Sequence, residues 1–364
     1  MSLQNKTVLT PFIKSLLLTP PNFPPSDLTT ILKLVVQGLA SDVQLAAFLT
    51  ALKMSRLDHN PLYVAAMASA LLEFSSLIPI SDSENVWFTD IVGTGGDGQN
   101  TFNVSTSAAI VAAGMGLDVC KHGGKASSSA SGAGDLMTFL GVDQSNVTAE
   151  TFPRLRQASK FSFLLAPNFH PAMAKVAPVR AQLNIPTIFN LMGPLINPAP
   201  IASRIIGVYA EDLGQLFAEA FIVLDKSRYG KVGKTMVVWG CCGLDEISPI
   251  GRTKTWTVDP ETETVTVGYL EPSDFGLAEH TLDTVQSGTP SANAETLISI
   301  LQNQPEYSEP DHPLVDYIVM NAAALAVVSG LASDWKHGVI LARKSISSGA
   351  ALEQLRSFAD ASRA

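Results

Sequence analysis

The sequence predicts an α/β protein in two parts: a small all-helical domain over residues 1–83, then a larger α/β domain over 84–364 on a largely parallel sheet. Three observations carry this. Up to about residue 80, apolar residues recur at i, i+3, i+4 and i+7, the period of an amphipathic helix. From Val86, short β-like runs (VWFTDIV, LDVC, FSFLLA) alternate with helical ones (TSAAIVAAG, AGDLMTFLG), a rhythm that needs crossover connections and helices on both faces of a sheet. And 364 residues, 46% of them hydrophobic, can bury a large core in two domains.

The first helix starts near Ser26, where Leu28, Ile31, Leu32 and Val35 share a face and Gly38 ends the run. A second follows at once: Ser41 and Gln44 read as a capping box, and Leu45, Phe48, Leu49 and Leu52 line its buried side. Asn60 before Pro61 opens a third, to about Leu72, since asparagine caps free N–H groups and proline suits the first helical position. The polar residues 81–85 are the expected boundary. RIIGVYA, KTMVVWG and VTVGYL read as further strands, and the chain turns helical again from about Pro313. The segment near 168–198 is expected to pack with the helical domain. No internal repeat or low-complexity tract is present.

Charge and cysteine usage narrow the function. With 24 basic and 33 acidic residues, net −9, the chain is a poor partner for duplex nucleic acid, whereas a small phosphorylated substrate needs only a few cations. Three cysteines, Cys241 and Cys242 adjacent, make neither a disulfide framework nor a zinc spacing, and are expected as reduced, mostly buried thiols. The N-terminus has no signal-peptide pattern and no apolar run nears the ~20 residues of a membrane span, so a soluble cytoplasmic protein without membrane partners is expected. The glycosylation triplets at Asn5, Asn103 and Asn146 are then chance matches.

Four segments carry chemistry. VGTGGDGQNTFNVST, at 92–106, joins an apolar run to a helix: glycine lets backbone N–H groups turn toward an anion, and the helix start adds unpaired donors. Gly93, Gly95 and Gly98 also spell G-x-G-x-x-G, with Asp118 about 20 residues on, as in a dinucleotide fold. Against a dehydrogenase, QNTFNVST intervenes before the helix and Asp97 would sit near an anion with no metal to offset the repulsion. The second loop, 121–135, follows LDVC as the first follows DIV, which places both at one sheet edge. It brings Lys121, His122 and Lys125 as cations and Ser127, Ser128, Ser129 and Ser131 as hydroxyl donors, where the plain alternative is a solvated connector. In the third, 166–198, the polar features are His170, Lys175 and Arg180, whose guanidinium can grip a carboxylate with two parallel hydrogen bonds. In the fourth, 240–251, Asp245 and Glu246 can hold Mg2+ through oxygens while a diphosphate supplies other ligands; a solvated acidic turn is the alternative.

Together these segments, in this order, resemble the anthranilate phosphoribosyltransferases of tryptophan biosynthesis, from AFLTALKMS at 47–55 to MNAAALAVVSG at 320–330. GTGGDG alone would also suit nucleoside phosphorylases; TFNVST, HPAMAKVAPVR, TIFNLMGPLINP and GLDEIS make the match specific. The resemblance implies the mixed, mostly parallel sheet of the nucleoside phosphorylase/phosphoribosyltransferase type and a homodimer through the helical part. It implies Mg2+ and the substrates anthranilate and 5-phosphoribosyl 1-diphosphate. Position by position, Gly93, Gly96, Asp97, Thr101, Asn103, Val104, Ser105 and Thr106 match the ribosyl-diphosphate loop. Lys121, Gly123, Gly124, Lys125, Ser127, Ser128, Ser129 and Ala133 match the second phosphate loop. Ser105, Asp245 and Glu246 match the metal positions, and Arg180 matches the arginine on anthranilate's carboxylate, with Gly93, His122, Gly124 and His170 in the same region.

The chemistry so implied is loss of diphosphate from the anomeric carbon through a transition state of oxocarbenium character, with attack by a neutral aromatic amine. Stabilising the departing anion and positioning the acceptor then dominate, and no catalytic base is assigned; His122 is a candidate positioning residue. The chain departs from many relatives at Gly124 (commonly Asn), Lys125 (Arg) and Pro186 (Arg), and its GGKAS version looks like fungal members. A pyrimidine nucleoside phosphorylase would not need the GLDEIS carboxylates. A non-catalytic nucleic-acid-binding relative is opposed by the net −9 charge.

Overall fold

The computed structural model describes residues 7–79, 87–125 and 131–364. Four helices come first: α1 (Thr10–Leu16), α2 (Asp27–Val36), α3 (Asp42–Met54) and α4 (Pro61–Glu73). Their starts follow from local chemistry. Asn60 Oδ1 accepts the Leu62 N–H at 2.9 Å with Pro61 at the first position, and Ser41 Oγ accepts the Gln44 N–H at 3.4 Å. The capping box is only half made, because the Gln44 amide reaches Thr10 Oγ1 at 3.2 Å and ties α3 to α1 instead. The expected boundary at 81–85 lies outside the described residues.

Seven strands follow, interleaved with helices. In chain order they are β1 (Phe88–Gly93), α5 (Val104–Gly114), β2 (Val119–Gly123), α6 (Ala133–Phe139), α7 (Phe152–Ala158), β3 (Phe161–Leu165), α8 (Ala166–Phe169) and α9 (Pro171–Leu183). Then come β4 (Ile201–Gly207), α10 (Leu213–Tyr229), β5 (Lys234–Gly240), β6 (Thr253–Val258), β7 (Val265–Leu270), α11 (Pro290–Leu301), α12 (Pro313–Ser329), α13 (Trp335–Ser347) and α14 (Ala350–Arg363). The sheet order is β3-β2-β1-β4-β5-β6-β7; the first five strands are parallel, and the β5–β6 and β6–β7 pairings are antiparallel.

Alternation along the central strands divides the interior into two cores. Ile91, Ile205, Met236 and Val238 face one side, with α5, α12, α13 and α14; Val92, Ile206 and Val237 face the other, with α10. Burial on both faces is why these strands read as continuous apolar runs. The second core does not stop at the sheet. It takes in Leu28, Leu45, Phe48 and Leu71 of the N-terminal helices and Ala172, Val176 and Val179 of α9, which lies against α2 and α3.

Two expectations need correction. Lys121, His122 and Gly123 belong to β2 rather than to the loop after it, because they pair with Phe163, Leu164 and Leu165 of β3. And the cysteines are not mostly buried: Cys120 is, but Cys241 and Cys242 are exposed. They are the middle residues of a tight turn after β5, closed by the Gly243 N–H to Gly240 O at 2.8 Å with Gly243 at φ +87°. Among the described residues no helix is long and apolar enough to cross a membrane.

Candidate active site

Parallel strands leave their C-terminal ends at one edge, and the site is built there. Gly93 and Gly207, paired at the ends of β1 and β4, form a notch for Asp245. A Cβ on Gly207 would stand 1.5 Å from the Asp245 carbonyl oxygen, and one on Gly93 would stand 2.3 Å from Asp245 Oδ2. At Gly207 the obstruction is backbone and glycine is required for space; at Gly93 it is first the Asp245 carboxylate, which a side chain would displace. Asp245 Oδ2 in turn accepts the Gly95 N–H at 2.6 Å, and Gly95, Gly96 and Gly98 take φ of +68°, +86° and +72°, which bends the loop over it. Gln99 Nε2 donates to Cys242 O at 3.1 Å and joins the two loops again.

Three carboxylates therefore gather. Burial pushes the Asp245 pKa up to about 7, helped by the Asp97 charge and opposed by the Gly95 bond. Glu246 is raised well above the ordinary range by burial and by Asp245, against Lys121 and a hydrogen bond from Ser105. Such crowding favours protonation until a cation arrives. Lys121, itself buried, donates to Ile91 O at 2.6 Å; burial lowers its pKa while Asp90, Glu246 and Asp245 raise it. Among the described residues no three His, Cys, Asp or Glu side chains form a self-sufficient metal cage. Two carboxylates and a hydroxyl, all hard oxygen donors, fit a Mg2+ ion that completes its shell with phosphate oxygens and water.

The cleft in front of these groups holds about 690 Å3. It brings together the residues singled out on the first loop (Gly93, Gly96, Asp97, Thr101, Asn103, Ser105 and Thr106), those around the second (Lys121, His122, Gly123, Gly124, Lys125 and Ala133), and His170, Arg180, Asp245 and Glu246. Asp97 and Lys121 thus open onto one space. Val104 is not on its wall: the side chain is buried in the core at the first position of α5. Ser127, Ser128 and Ser129 lie outside the described residues. Lys175 is exposed and does not line the cleft.

The far wall comes from α9 and the segment after it. Arg180 lies with its guanidinium 5.8 Å from the Phe189 ring centre and Nη2 3.5 Å from Asn190 Oδ1. Partial burial lowers its pKa, yet a guanidinium stays charged. Met173, Ala177, Phe189, Asn190 and Gly193 also line the cleft and escaped the sequence reading. A signal existed for the first two: His170, Met173, Ala174, Ala177 and Arg180 follow helical spacing and share one face of α9.

The two histidines form a closed chain. His122 Nε2 lies 3.1 Å from His170 Nε2, while the Nδ1 atoms lie 3.0 Å from Gly193 O and 2.7 Å from Ser75 Oγ. Burial lowers His122 to about 4 and His170 to about 2, so both rings are neutral. His122 Nδ1 must donate to the Gly193 carbonyl, so its Nε2 can only accept; Ser75 Oγ, 2.7 Å from His170 Nδ1, also lies 2.7 Å from Leu71 O, and its single proton serves one of the two. Every ring nitrogen is engaged, which makes the pair a strut and not a free base.

Comparison with known proteins agrees with this geometry. Residues 10–75 match the glycosyl transferase family helical bundle domain, and 85–352 match the glycosyl transferase family a/b domain. An anthranilate phosphoribosyltransferase of Schizosaccharomyces pombe is 46% identical over 338 residues, 93% of this chain and 92% of that protein. The structure of the Saccharomyces cerevisiae anthranilate phosphoribosyltransferase in complex with PRPP and Mg superposes with a TM-score of 0.89 at 41% identity, covering 99% of each chain. A complex of the same yeast protein with 4-fluoroanthranilate gives 0.88 at 39% identity, covering 100% of this chain and 99% of that one.

Proposed function

Because the chain belongs to the glycosyl transferase family in both its domains, and within it to the anthranilate phosphoribosyltransferases, we infer that it transfers a 5-phosphoribosyl group from 5-phosphoribosyl 1-diphosphate to the amine of anthranilate, releasing diphosphate. The observation that carries the reading is the convergence of the glycine loop after β1, the end of β2 and the Asp245–Glu246 pair on one cleft, with Arg180 opposite. A nucleoside phosphorylase has no use for the buried carboxylate pair, and the charge of −9 remains against nucleic acid.

The residues divide the work. Gly95, Gly96 and Gly98 shape the loop so that its N–H groups and the start of α5 receive phosphate oxygens. Asp245, Glu246 and Ser105 would hold Mg2+, which supplies positive charge to the leaving diphosphate. Lys121, fixed in a strand, adds a second positive charge to the same side. Arg180, with Asn190 beside it, grips the anthranilate carboxylate and aims the amine across the cleft. The bridged histidines hold that wall through Gly193 and Ser75, and the amine, neutral before attack, needs no strong base.

Exposed Leu17, Leu18, Val43, Met54 and Leu62 on or beside the N-terminal helices support a homodimer through that part. Three unpaired thiols suit a reducing compartment such as the cytoplasm. The deciding experiment mixes the protein with anthranilate, 5-phosphoribosyl 1-diphosphate and Mg2+ and follows anthranilate fluorescence. Loss that requires all three components is expected; a constant signal would reject the assignment.

A further inference from the structure

The loop bearing Asp245 and Glu246 rests its far side on α12. Asn321 is fully buried there, and its carboxamide meets both ends of the next residue, Ile247: Oδ1 accepts the Ile247 N–H and Nδ2 donates to Ile247 O, each at 3.3 Å. Nδ2 also donates to Tyr317 O, one turn earlier, at 3.0 Å. This pairing does for Ile247 what a neighbouring strand would do, at a place where the chain has left the sheet. On the same face of α12 the Tyr317 hydroxyl is buried, and burial together with the Glu246, Asp245 and Asp97 charges raises its pKa.

A clamp is needed because the carboxylates repel one another. Asp245 is seated by Gly93, Gly207 and the Gly95 N–H, whereas Glu246, among the described residues, is opposed by Asp245 and favoured by the Lys121 charge and a Ser105 hydrogen bond. Successive peptides share an α-carbon, so a rotation of the Ile247 peptide would swing the Glu246 side chain away. We propose that Asn321 is the positioning residue of the divalent-cation site: by pairing with both ends of Ile247 it keeps the Asp245–Glu246 carboxylates turned into the cleft, without itself touching substrate. The proposal rests on the metal role assigned to those carboxylates above.

The test uses Mn2+ with inorganic diphosphate as the probe, its binding read by electron paramagnetic resonance, and anthranilate binding read by its own fluorescence. Asn321→Ala should weaken Mn2+ binding at least tenfold and leave anthranilate binding within twofold. Asn321→Leu, of similar volume and without hydrogen-bonding groups, should do the same if the smaller side chain fails to fold. In the native protein, amide exchange at Ile247 should already be slow without metal. Mn2+ binding within twofold of wild type, equal weakening of both ligands, or rapid Ile247 exchange would each overturn the proposal. Wild-type protein that ignores Mn2+ would overturn the metal reading and this inference together, a result distinct from tight wild-type binding shared by the variants.

Discussion

Replacing Gly207 with alanine adds one methyl group and should disable the enzyme. The new Cβ would stand 1.5 Å from the Asp245 carbonyl oxygen, against the 3.0 Å below which real contacts essentially do not occur, so the two must part by at least 3.0 − 1.5 = 1.5 Å. The obstruction is backbone and cannot rotate aside. Gly207 is held in β4 between Gly93 of β1 and Val238 of β5, so the loop is the element that yields. Functional groups must be held to about 0.5 Å, and a misplacement of about 1 Å can cost roughly a hundredfold in rate. The expectation is therefore a fall in kcat/KM of at least about 100-fold, about 2.7 kcal/mol at 1.36 per decade, with the 5-phosphoribosyl 1-diphosphate and Mg2+ dependences weakened more than that for anthranilate. Steady-state assays by anthranilate fluorescence at several Mg2+ concentrations measure this, with circular dichroism to show that the variant folds. A folded variant within threefold of wild type would refute the notch as the seat of Asp245.

Arg180→Ala removes a charge-assisted pair worth about 1.5–3 kcal/mol, so kcat/KM for anthranilate should fall roughly 10- to 150-fold while KM for the ribosyl donor holds; matched changes in both would contradict its placement. Asp245→Ala with Glu246→Ala should abolish the response to Mg2+, and a preserved Mg2+ titration would remove the pair from the metal site. Among the described residues a Cβ on Gly124 meets nothing within 4 Å, so Gly124→Asn should shift the melting temperature negligibly and change anthranilate KM by no more than one hydrogen bond, about 1 kcal/mol or fivefold; clear destabilisation would show that the space is not free. The histidine strut gives a pH test. His170 titrates near 2 in the folded chain and near 6.5 unfolded, so below 6.5 the unfolded state binds the extra proton and stability falls as pH falls. From pH 8 to 5 the wild type should lose about 2 kcal/mol more than His170→Gln, since 1.5 pH units at 1.36 each lie below 6.5. Asp245, raised to about 7, acts in the opposite direction but equally in both proteins and cancels. Parallel stability profiles would show that His170 is not held neutral.

Much of the site was legible because its residues are unusual in kind: glycines before a helix, lysine in a small-residue run, paired acids after a strand. What escaped is tertiary. Lysine and histidine do not advertise a strand, and only pairing with Phe163 and Leu164 extends β2 through them. Gly93 reads as a ligand-approach glycine, yet the nearest obstruction to a side chain there is Asp245, about 150 residues away in sequence. Among the elements, α1 is seven residues long and buries only Leu16, too little for a period, and β6 is recognisable mainly from its antiparallel register with β5 and β7. By contrast α10 carries Leu213, Leu216, Phe217, Ala220, Phe221 and Leu224 at full helical spacing, and reading that stretch only for strands passes over it. Asn321 lies within MNAAALAVVSG, yet nothing there shows its role: a lone asparagine in an apolar helix acquires meaning from the peptide it meets.

Arg180 rides on α9, whose buried side belongs to the layer of the N-terminal helices, while the carboxylates ride on the loop after β5, seated at the ends of β1 and β4. On the proposed assignment the acceptor and the donor are carried by different layers, and the apolar side chains between them would act as a spacer that sets how far the nucleophilic nitrogen stands from the carbon it attacks. A volume change at Val176, which touches neither substrate, would alter that gap, so reaction rate should respond to interior residues chosen for their size alone.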